Sequence, residues 1–395
     1  MLPAAHRVGV ADILRRHGPA YLATHDLSSA KAKVWRAILS CRTSALGGHV
    51  ETCDRCGATR HIYHSCRNRH CPQCQTRAKE AWLVQRRREL LPAPYFHLVF
   101  TLPHELNGLI GIAPRAIYET LFAAVAATLT EFAANPRWLG GTAAFSLVLH
   151  TWKQDLGRHV HVHALVVGGA LTATGQWTAA KRGFLFPVKA LSRVFRGKFV
   201  AALKAGREQG KLAGATTLDA CAWRALLDRL HEHEWVVYAK QPLGGPAQVL
   251  AYLGRYTHRV AISNERIVGV DEREVRFRVR ASAQGHAKRT LALSAQTFID
   301  RFLLHVLPKG FKRIRHYGLL GPAGKAVKLA QARAALLALL APTPDPVVVE
   351  SVAAFMHRID RAEWARCPHC GQGAFVPTAA IAPTPVYIPF SRGPP

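Results

Sequence analysis

His159-Val-His-Val-His-Ala-Leu-Val-Val167, stopped by Gly168-Gly169, is the stretch on which the fold turns. Imidazoles alternate with small apolar residues, so on an extended strand His159, His161 and His163 share one face. Neighbouring members lie about 7 Å apart at Cα, within reach of one divalent ion; the outer two lie about 13 Å apart, beyond it. The pattern predicts a metal site made by one neighbouring pair plus a third ligand from another element. His161 and His163 are the better pair, because the apolar run after them carries the strand into a core. His150, Gln154 and Asp155 are candidates for the third ligand, and His150 falls on the preceding predicted strand, Ala144-Phe-Ser-Leu-Val-Leu-His-Thr-Trp152. The plain alternative is a set of surface histidines on a basic protein.

Outward from this strand the chain alternates strand-like and helix-like patterns. Tyr95-Phe-His-Leu-Val-Phe-Thr-Leu102 reads as a strand, about 105–134 as helical, about 187–211 and 219–231 as basic helices, and Glu234–Lys240 as a further strand. Glu274-Val-Arg-Phe-Arg-Val-Arg280 and His286–Leu293 read as a hairpin. Toward the front, Val8–Leu39 reads as helical with a break at Gly18-Pro19, and Gln75–Leu91 as a basic helix closed by Pro92 and Pro94. The tail after Pro342 is Pro-rich, and its last twenty or so residues are expected to lack order.

Lys and Arg number 53 against 24 Asp and Glu, a formal charge of +29. So large an excess repels itself unless an acidic polymer is the partner, and nucleic acid comes before a membrane surface. The start shows no apolar run of signal-peptide length, and no window reads as long enough to span a bilayer. A reducing, cytoplasmic compartment is the expectation, where nine cysteines are metal ligands before they are disulfides.

Six of those cysteines fall in the first 91 residues. Cys53-Asp-Arg-Cys56 and Cys71-Pro-Gln-Cys74 are two Cys-x-x-Cys knuckles with fourteen residues between them, the spacing of a zinc ribbon. Cys41, His49, Cys66 and His70 remain for a possible second zinc, with His64 able to replace either histidine. Such a site has no open coordination position, so this module is not the catalyst. Arg67 and Arg69 decorate it, which suits a DNA-holding role as well as a folding staple. Cys367-Pro-His-Cys370 is a third knuckle with no second pair after it: it joins ligands from elsewhere or is a remnant. Cys221 reads as a buried small hydrophobe.

Pro246–His258 suits a helix with Pro246 in its first turn. On it Tyr252 and Tyr256 stand at i and i+4, one above the other. Gly254 between them costs stability and lets a backbone or substrate approach. Arg255, His258 and Arg259 crowd the same turns, well placed for phosphates. A tyrosine pair at this spacing is ordinarily core packing. Beside a metal site in a basic protein it gains a second meaning. A phenol with a pKa near ~10 is a poor nucleophile, but an ion on the scissile phosphate stabilises charge developing there. A phosphotyrosine stores the phosphodiester bond for rejoining without an energy source.

These motifs carry a resemblance. His161-Val-His163 resembles the His-hydrophobic-His motif of the HUH endonucleases, and Tyr252 and Tyr256 resemble the paired nucleophiles of their two-tyrosine branch. Cys41-Arg-Thr-Ser-Ala-Leu-Gly-Gly-His49 through His64-Ser-Cys-Arg-Asn-Arg-His-Cys71-Pro-Gln-Cys74 is similar to the zinc-binding domain of insertion sequence 91 family transposases. Phe302-Leu-Leu-His-Val-Leu-Pro-Lys-Gly-Phe-Lys-Arg-Ile-Arg-His-Tyr-Gly318 resembles the same family, so the likeness covers roughly residues 10 to 320. It implies an α+β chain: a zinc-ribbon-like module, then a ferredoxin-like HUH nuclease domain with a central antiparallel sheet and extra helices. The implied layout is an N-terminal helical and zinc-binding domain over 1–91, a catalytic domain over 92–320, and a C-terminal helix with a Pro-rich tail over 321–395.

By the same resemblance, His161 and His163 hold Mg²⁺ or Mn²⁺, and structural Zn²⁺ sits in the front module. Tyr252 and Tyr256 attack single-stranded transposon ends and target DNA, forming 5′-phosphotyrosine links and leaving 3′-hydroxyls. Host replication proteins are possible partners; a membrane is not. Three other readings compete. A non-catalytic zinc-dependent DNA-binding regulator leaves the histidines and tyrosines idle. A zinc hydrolase of small molecules would work without DNA. A tyrosine recombinase would cut without metal.

Overall fold

The structure is a computed structural model and describes residues 8–181, 183–212, 218–243, 248–249, 254, 260–281, 287–338, 354 and 366–384. In chain order its principal elements are α1 (Val10–Leu22), α2 (Ser29–Ser40), β1 (Gly48–Cys53), β2 (Thr59–Tyr63), α3 (Gln75–Arg87), β3 (Tyr95–Thr101), α4 (Asn107–Ile112) and α5 (Pro114–Ala134). There follow β4 (Thr142–Trp152), β5 (Arg158–Leu171), β6 (Trp177–Ala179), α6 (Val188–Glu208), α7 (Ala220–Glu232), β7 (Val237–Leu243), β8 (Ile267–Val270), β9 (Glu274–Arg280) and β10 (Lys288–Ser294). A helix over Ala295–Leu303, β11 (Ile314–Gly318), a helix over Lys325–Leu337 and β12 (Phe375–Ile381) complete the chain. The chain is α+β, as expected.

Two compact units form. One gathers Met1–Val84, His258–Val306 and Asp345–Pro395; the other gathers Gln85–Thr257 and Leu307–Pro344. These do not follow the consecutive blocks 1–91, 92–320 and 321–395. The physical reason is strand pairing between distant segments: β12 lies against β1, which returns the tail to the front of the chain.

The second unit is built on an antiparallel sheet in the order β11-β4-β5-β3-β7, with β6 beside β5. The succession β3-α5-β4-β5-α6-β7, with that spatial order, is the β-α-β-β-α-β arrangement of ferredoxin-like folds; β11 adds an edge. Alternation along the strands divides the two faces. Phe100, Leu147, Leu149, Val160 and Val162 are buried on one face. There Phe100 meets Phe195 of α6 edge-on at 5.2 Å, and Phe195 meets Trp235 at 5.2 Å. Burying each such ring contributes about 1.5–3 kcal/mol. The opposite face carries His97, His150, His161, His163 and His316.

Helix α5 corrects one expectation. It is long and apolar enough to cross a membrane by length and composition. Its apolar residues are instead core: Leu121, Phe122, Val125 and Leu129 are buried, and α5 packs on α6 and β4.

In the first unit β12-β1-β2 form one sheet and β10-β9-β8 another. On β9, buried Val275, Phe277 and Val279 alternate with exposed Arg276, Arg278 and Arg280. Helix α1 runs through Pro19, and the chain breaks after Leu22, not at Gly18-Pro19. Tertiary packing overrides the local signal: Gly18 lies bare against Trp35, whose ring would stand 2.7 Å from a Cβ there. Tyr21 donates a 2.6 Å hydrogen bond to Asp300, and the Val10 amide donates one of 3.1 Å to Asn264. Strand β12 lies within the tail expected to lack order.

Candidate metal centres

The register of three strands assembles the histidine site. His161 and His163 share a face of β5, and His150 on β4 is the direct cross-strand partner of His161. The Nε2 atoms of His161 and His163 are 3.1 Å apart, and His163 Nε2 is 3.1 Å from His150 Nδ1. All three candidate ligand atoms lie within 4.8 Å of one another. An ion about 2.1 Å from each nitrogen, with bond angles near 90°, would set them about 3 Å apart, so the donor set fits one divalent cation. Among the third-ligand candidates the structure brings in His150. Asp155 instead accepts the Gly157 amide at 2.8 Å and faces Lys153, and Gln154 is exposed.

The far nitrogens are held as well. His161 Nδ1 lies 3.0 Å from the His159 carbonyl, which can only accept, so the proton sits on Nδ1 and the Nε2 lone pair is free. His163 Nδ1 lies 2.8 Å from His97 Nε2. His97 is buried on β3, whose residue Val99 is the cross-strand partner of His163. Trp152 stacks on His150 at 4.5 Å. His159 is not among the converging ligand atoms; its ring lies 5.0 Å from that of His161 and 6.0 Å from that of His104.

Electrostatics favour neutral imidazoles. Burial, then the charge of His159, brings His161 down to about 4. Burial, then Lys240 and His161, brings His97 down to about 3. Burial and the neighbouring imidazoles push His163 still lower. Neutral imidazole is the form that ligates metal.

The cysteines assemble in two sets, and neither is the set expected. Cys41, Cys66, Cys71 and Cys74 form one; Cys53, Cys56, Cys367 and Cys370 form the other. The expected grouping of Cys53 and Cys56 with Cys71 and Cys74 is therefore corrected, and so is that of Cys41 and Cys66 with His49 and His70. The reason is again β1–β12 pairing, which delivers the third knuckle to the first. In the first set Cys66 Sγ and Cys74 Sγ are 3.7 Å apart. His49 is turned to Glu51 at 3.1 Å, and His70 Nδ1 to Asn68 at 3.1 Å. Arg67 and Arg69 are exposed in the loop between Cys66 and Cys71. Cys221, expected buried, is exposed on α7.

Tyr252, Tyr256, Arg255, His258 and Arg259 lie outside the described residues. Sequence reasoning missed His97 as a partner of the site. It also missed that Cys53-Asp-Arg-Cys56-Gly57 and Cys367-Pro-His-Cys370-Gly371 share a Cys-x-x-Cys-Gly pattern that Cys71–Gln75 lacks.

Two family models match. One, described as "Putative transposase", covers residues 144–327; the other, "Transposase zinc-binding domain", covers residues 13–102. The protein "Putative transposase y4qJ" of Sinorhizobium fredii is 48% identical over 379 residues, 93% of this chain and 94% of that one. The chain belongs to the insertion sequence 91 family of transposases.

A second relative of the transposase is the transposase for insertion sequence element IS801 of Pseudomonas savastanoi pv. phaseolicola. It is 29% identical over 354 residues, 87% of this chain and 82% of that one. Among solved structures, the conjugative relaxase TrwC in complex with mutant oriT DNA is 19% identical. That match covers 28% of this chain and 44% of that one, with a TM-score of 0.23, too slight to bear on the argument. The zinc-binding domain of the transposase spans the whole of the Cys41, Cys66, Cys71 and Cys74 set. Cys367 and Cys370 fall outside both family models.

Proposed function

We propose that this transposase nicks and rejoins single-stranded DNA at the ends of its element through 5′-phosphotyrosine intermediates. The observation that carries the reading is the convergence of His150, His161 and His163, three buried or half-buried imidazoles whose ligand nitrogens stand 3.1 Å apart in sequence around His163. A divalent ion held there supplies Lewis-acid stabilisation of charge on the scissile phosphate. Mn²⁺ suits three nitrogen donors better than Mg²⁺, which favours oxygen ligands and retains several waters.

The chain's own groups do the rest. His150, His161 and His163 hold the ion, and His97 and the His159 carbonyl fix two of the rings. Tyr252 or Tyr256 loses its phenolic proton and attacks phosphorus. The bond from phosphorus to the 3′ oxygen breaks, that oxygen takes up a proton, and the 5′ phosphate stays on the tyrosine. Attack by another 3′-hydroxyl reverses the exchange and frees the phenol. Two tyrosines permit a second transfer before the first strand is released. Arg255, His258 and Arg259 stand beside them in sequence to bind phosphates. The front module holds a structural zinc ion through Cys41, Cys66, Cys71 and Cys74 and presents Arg67 and Arg69 to DNA.

The test is a nicking assay with single-stranded oligonucleotides from the element's ends and Mn²⁺. An adduct that survives SDS and maps by peptide sequencing to Tyr252 or Tyr256 is expected, and Tyr252→Phe with Tyr256→Phe abolishes it. Nicking that persists in the double variant removes the tyrosines from the mechanism. A protein that binds these strands without cutting them is the zinc-dependent regulator instead.

A further inference from the structure

The third knuckle lies beyond both family models, yet it is built into the fold. Cys53 Sγ stands 3.8 Å from Cys370 Sγ, and Cys56 Sγ stands 3.6 Å from Cys367 Sγ. A disulfide would require about 2.05 Å. A tetrahedral ion about 2.3 Å from each sulfur sets them about 3.8 Å apart. We propose that Cys53, Cys56, Cys367 and Cys370 hold a second structural zinc ion, which fastens the C-terminal strand to the N-terminal zinc module.

Four independent features converge on this site. The two knuckles are built alike: the Gly57 amide donates to the Cys53 carbonyl at 3.1 Å, and the Gly371 amide to the Cys367 carbonyl at 2.8 Å. Both glycines adopt positive φ, 71° and 69°, so the turn after the second cysteine is one that glycine enters without strain. The Gly373 amide donates to Cys370 Sγ at 3.3 Å, a contact that favours a thiolate over a thiol. Gly373 also has no room for a side chain: a Cβ there would lie 2.3 Å from Cys53 Sγ.

The segments around the cysteines are paired as closely as the cysteines themselves. Strand β12 runs antiparallel to β1 from Gly48↔Ile381 to Cys53↔Phe375. The Asp54 amide donates to the Ala374 carbonyl at 3.0 Å, and the Ala374 amide donates to Asp54 Oδ1 at 2.9 Å. The guanidinium of Arg60 sits 3.9 Å from the centre of the Phe375 ring. A three-stranded sheet this small has little core, so metal binding supplies much of its folding free energy. The inference is independent of the strand-transfer chemistry.

Cobalt(II) reconstitution of the full-length protein tests it, because thiolate-to-cobalt absorption reports the cysteine sites and ignores the histidine site. The wild type is expected to titrate with two equivalents of tetrahedral thiolate cobalt. Cys367→Ser with Cys370→Ser is expected to retain one, Cys53→Ser with Cys56→Ser one, and the quadruple variant still one. Retention of both equivalents without Cys367 and Cys370, or a further loss in the quadruple variant, overturns the proposal.

Differential alkylation of the wild type needs no variant. With zinc bound, all four cysteines are expected to resist iodoacetamide, and on chelation they become reactive together. Cys367 and Cys370 reacting at the rate of free thiols in the zinc-loaded protein, or found in a disulfide with Cys53 or Cys56, overturns it equally.

Discussion

His97 Nε2 lies 2.8 Å from His163 Nδ1, and this contact aims the other nitrogen of His163 at His150 and His161. With an ion bound as proposed, His97 would act through the ligand His163, as the partners of metal-bound imidazoles generally do. His97→Ala is expected to weaken Mn²⁺ binding about 10- to 100-fold. His97→Gln, which keeps a hydrogen-bonding group near the same place, recovers part of it. Titration of Mn²⁺ followed by EPR reads the affinity directly; equal affinity in wild type and His97→Ala would show that His97 only fills space.

Removal of the ion separates the two kinds of site. Brief EDTA treatment is expected to abolish nicking while the cysteine-bound zinc is retained, and added Mn²⁺ restores more activity than equal Mg²⁺. His150→Ala is expected to shift the Mn²⁺ requirement to higher concentration, which a metal titration of the nicking rate measures. Full cleavage in EDTA would place the chemistry elsewhere.

Acid is expected to destabilise the second unit before ordinary carboxylates titrate. Burial lowers His161 to about 4, His316 to about 4 and His97 to about 3. Between the ordinary histidine value near ~6.5 and these values, the unfolded chain binds protons that the folded chain refuses. Stability therefore falls as pH drops through that window and is unaffected by these groups above it. Each contributes a slope of about 1.4 kcal/mol per pH unit. A bound ion competes with protons and acts in the same direction. Urea midpoints at pH 7.5, 6 and 5 should fall in order, and less steeply in His161→Gln.

Cys71 is fully buried in the first cysteine set. Cys71→Ser is expected to release one zinc ion and open the loop between Cys41 and Cys74 to protease, with Mn²⁺ affinity at the histidines kept. Metal analysis and limited proteolysis of the same preparation decide it. Unchanged zinc content would mean that these thiols are structural without metal.

Gly373→Ala places a methyl group 2.3 Å from Cys53 Sγ and 2.8 Å from Asp54 Oδ1. Overpacking of this kind costs about 1–3 kcal/mol. The variant is expected to bind its second cobalt ion less tightly than wild type. Gly197→Ala, which like Gly373 lacks a positive φ but has no atom within 4 Å of its Cβ, serves as a control without the clash.

The sheet was legible because its strands alternate or run apolar, and β4 and β5 appear where the pattern places them. That His161 and His163 share one face was legible for the same reason: two residues apart on a strand is a geometric statement. His150 could only be a candidate, because register between strands is set by the whole sheet and β4 shifts register between His150 and Trp152. His97 gave no local sign at all, since a lone histidine in an apolar strand reads as core. The cysteines misled through distance along the chain. Cys53 and Cys56 lie nearer in sequence to Cys71 and Cys74, but the fold joins them to a knuckle of their own Cys-x-x-Cys-Gly type. The one distinguishing mark was a single glycine.

Strand β1 sits in the middle of its sheet only because β12 occupies one edge, and Cys56 faces a cysteine 311 positions further on. At a synthesis rate of about 5–20 residues per second, the ribosome needs roughly 16–60 s to cover that distance. Throughout that interval the nascent front of the transposase has an unpaired edge and two thiols without their partners. Completion of the sheet around β1 thus waits on translation of residues 367–381, and a message truncated before that point yields a chain in which β1 lacks its edge partner.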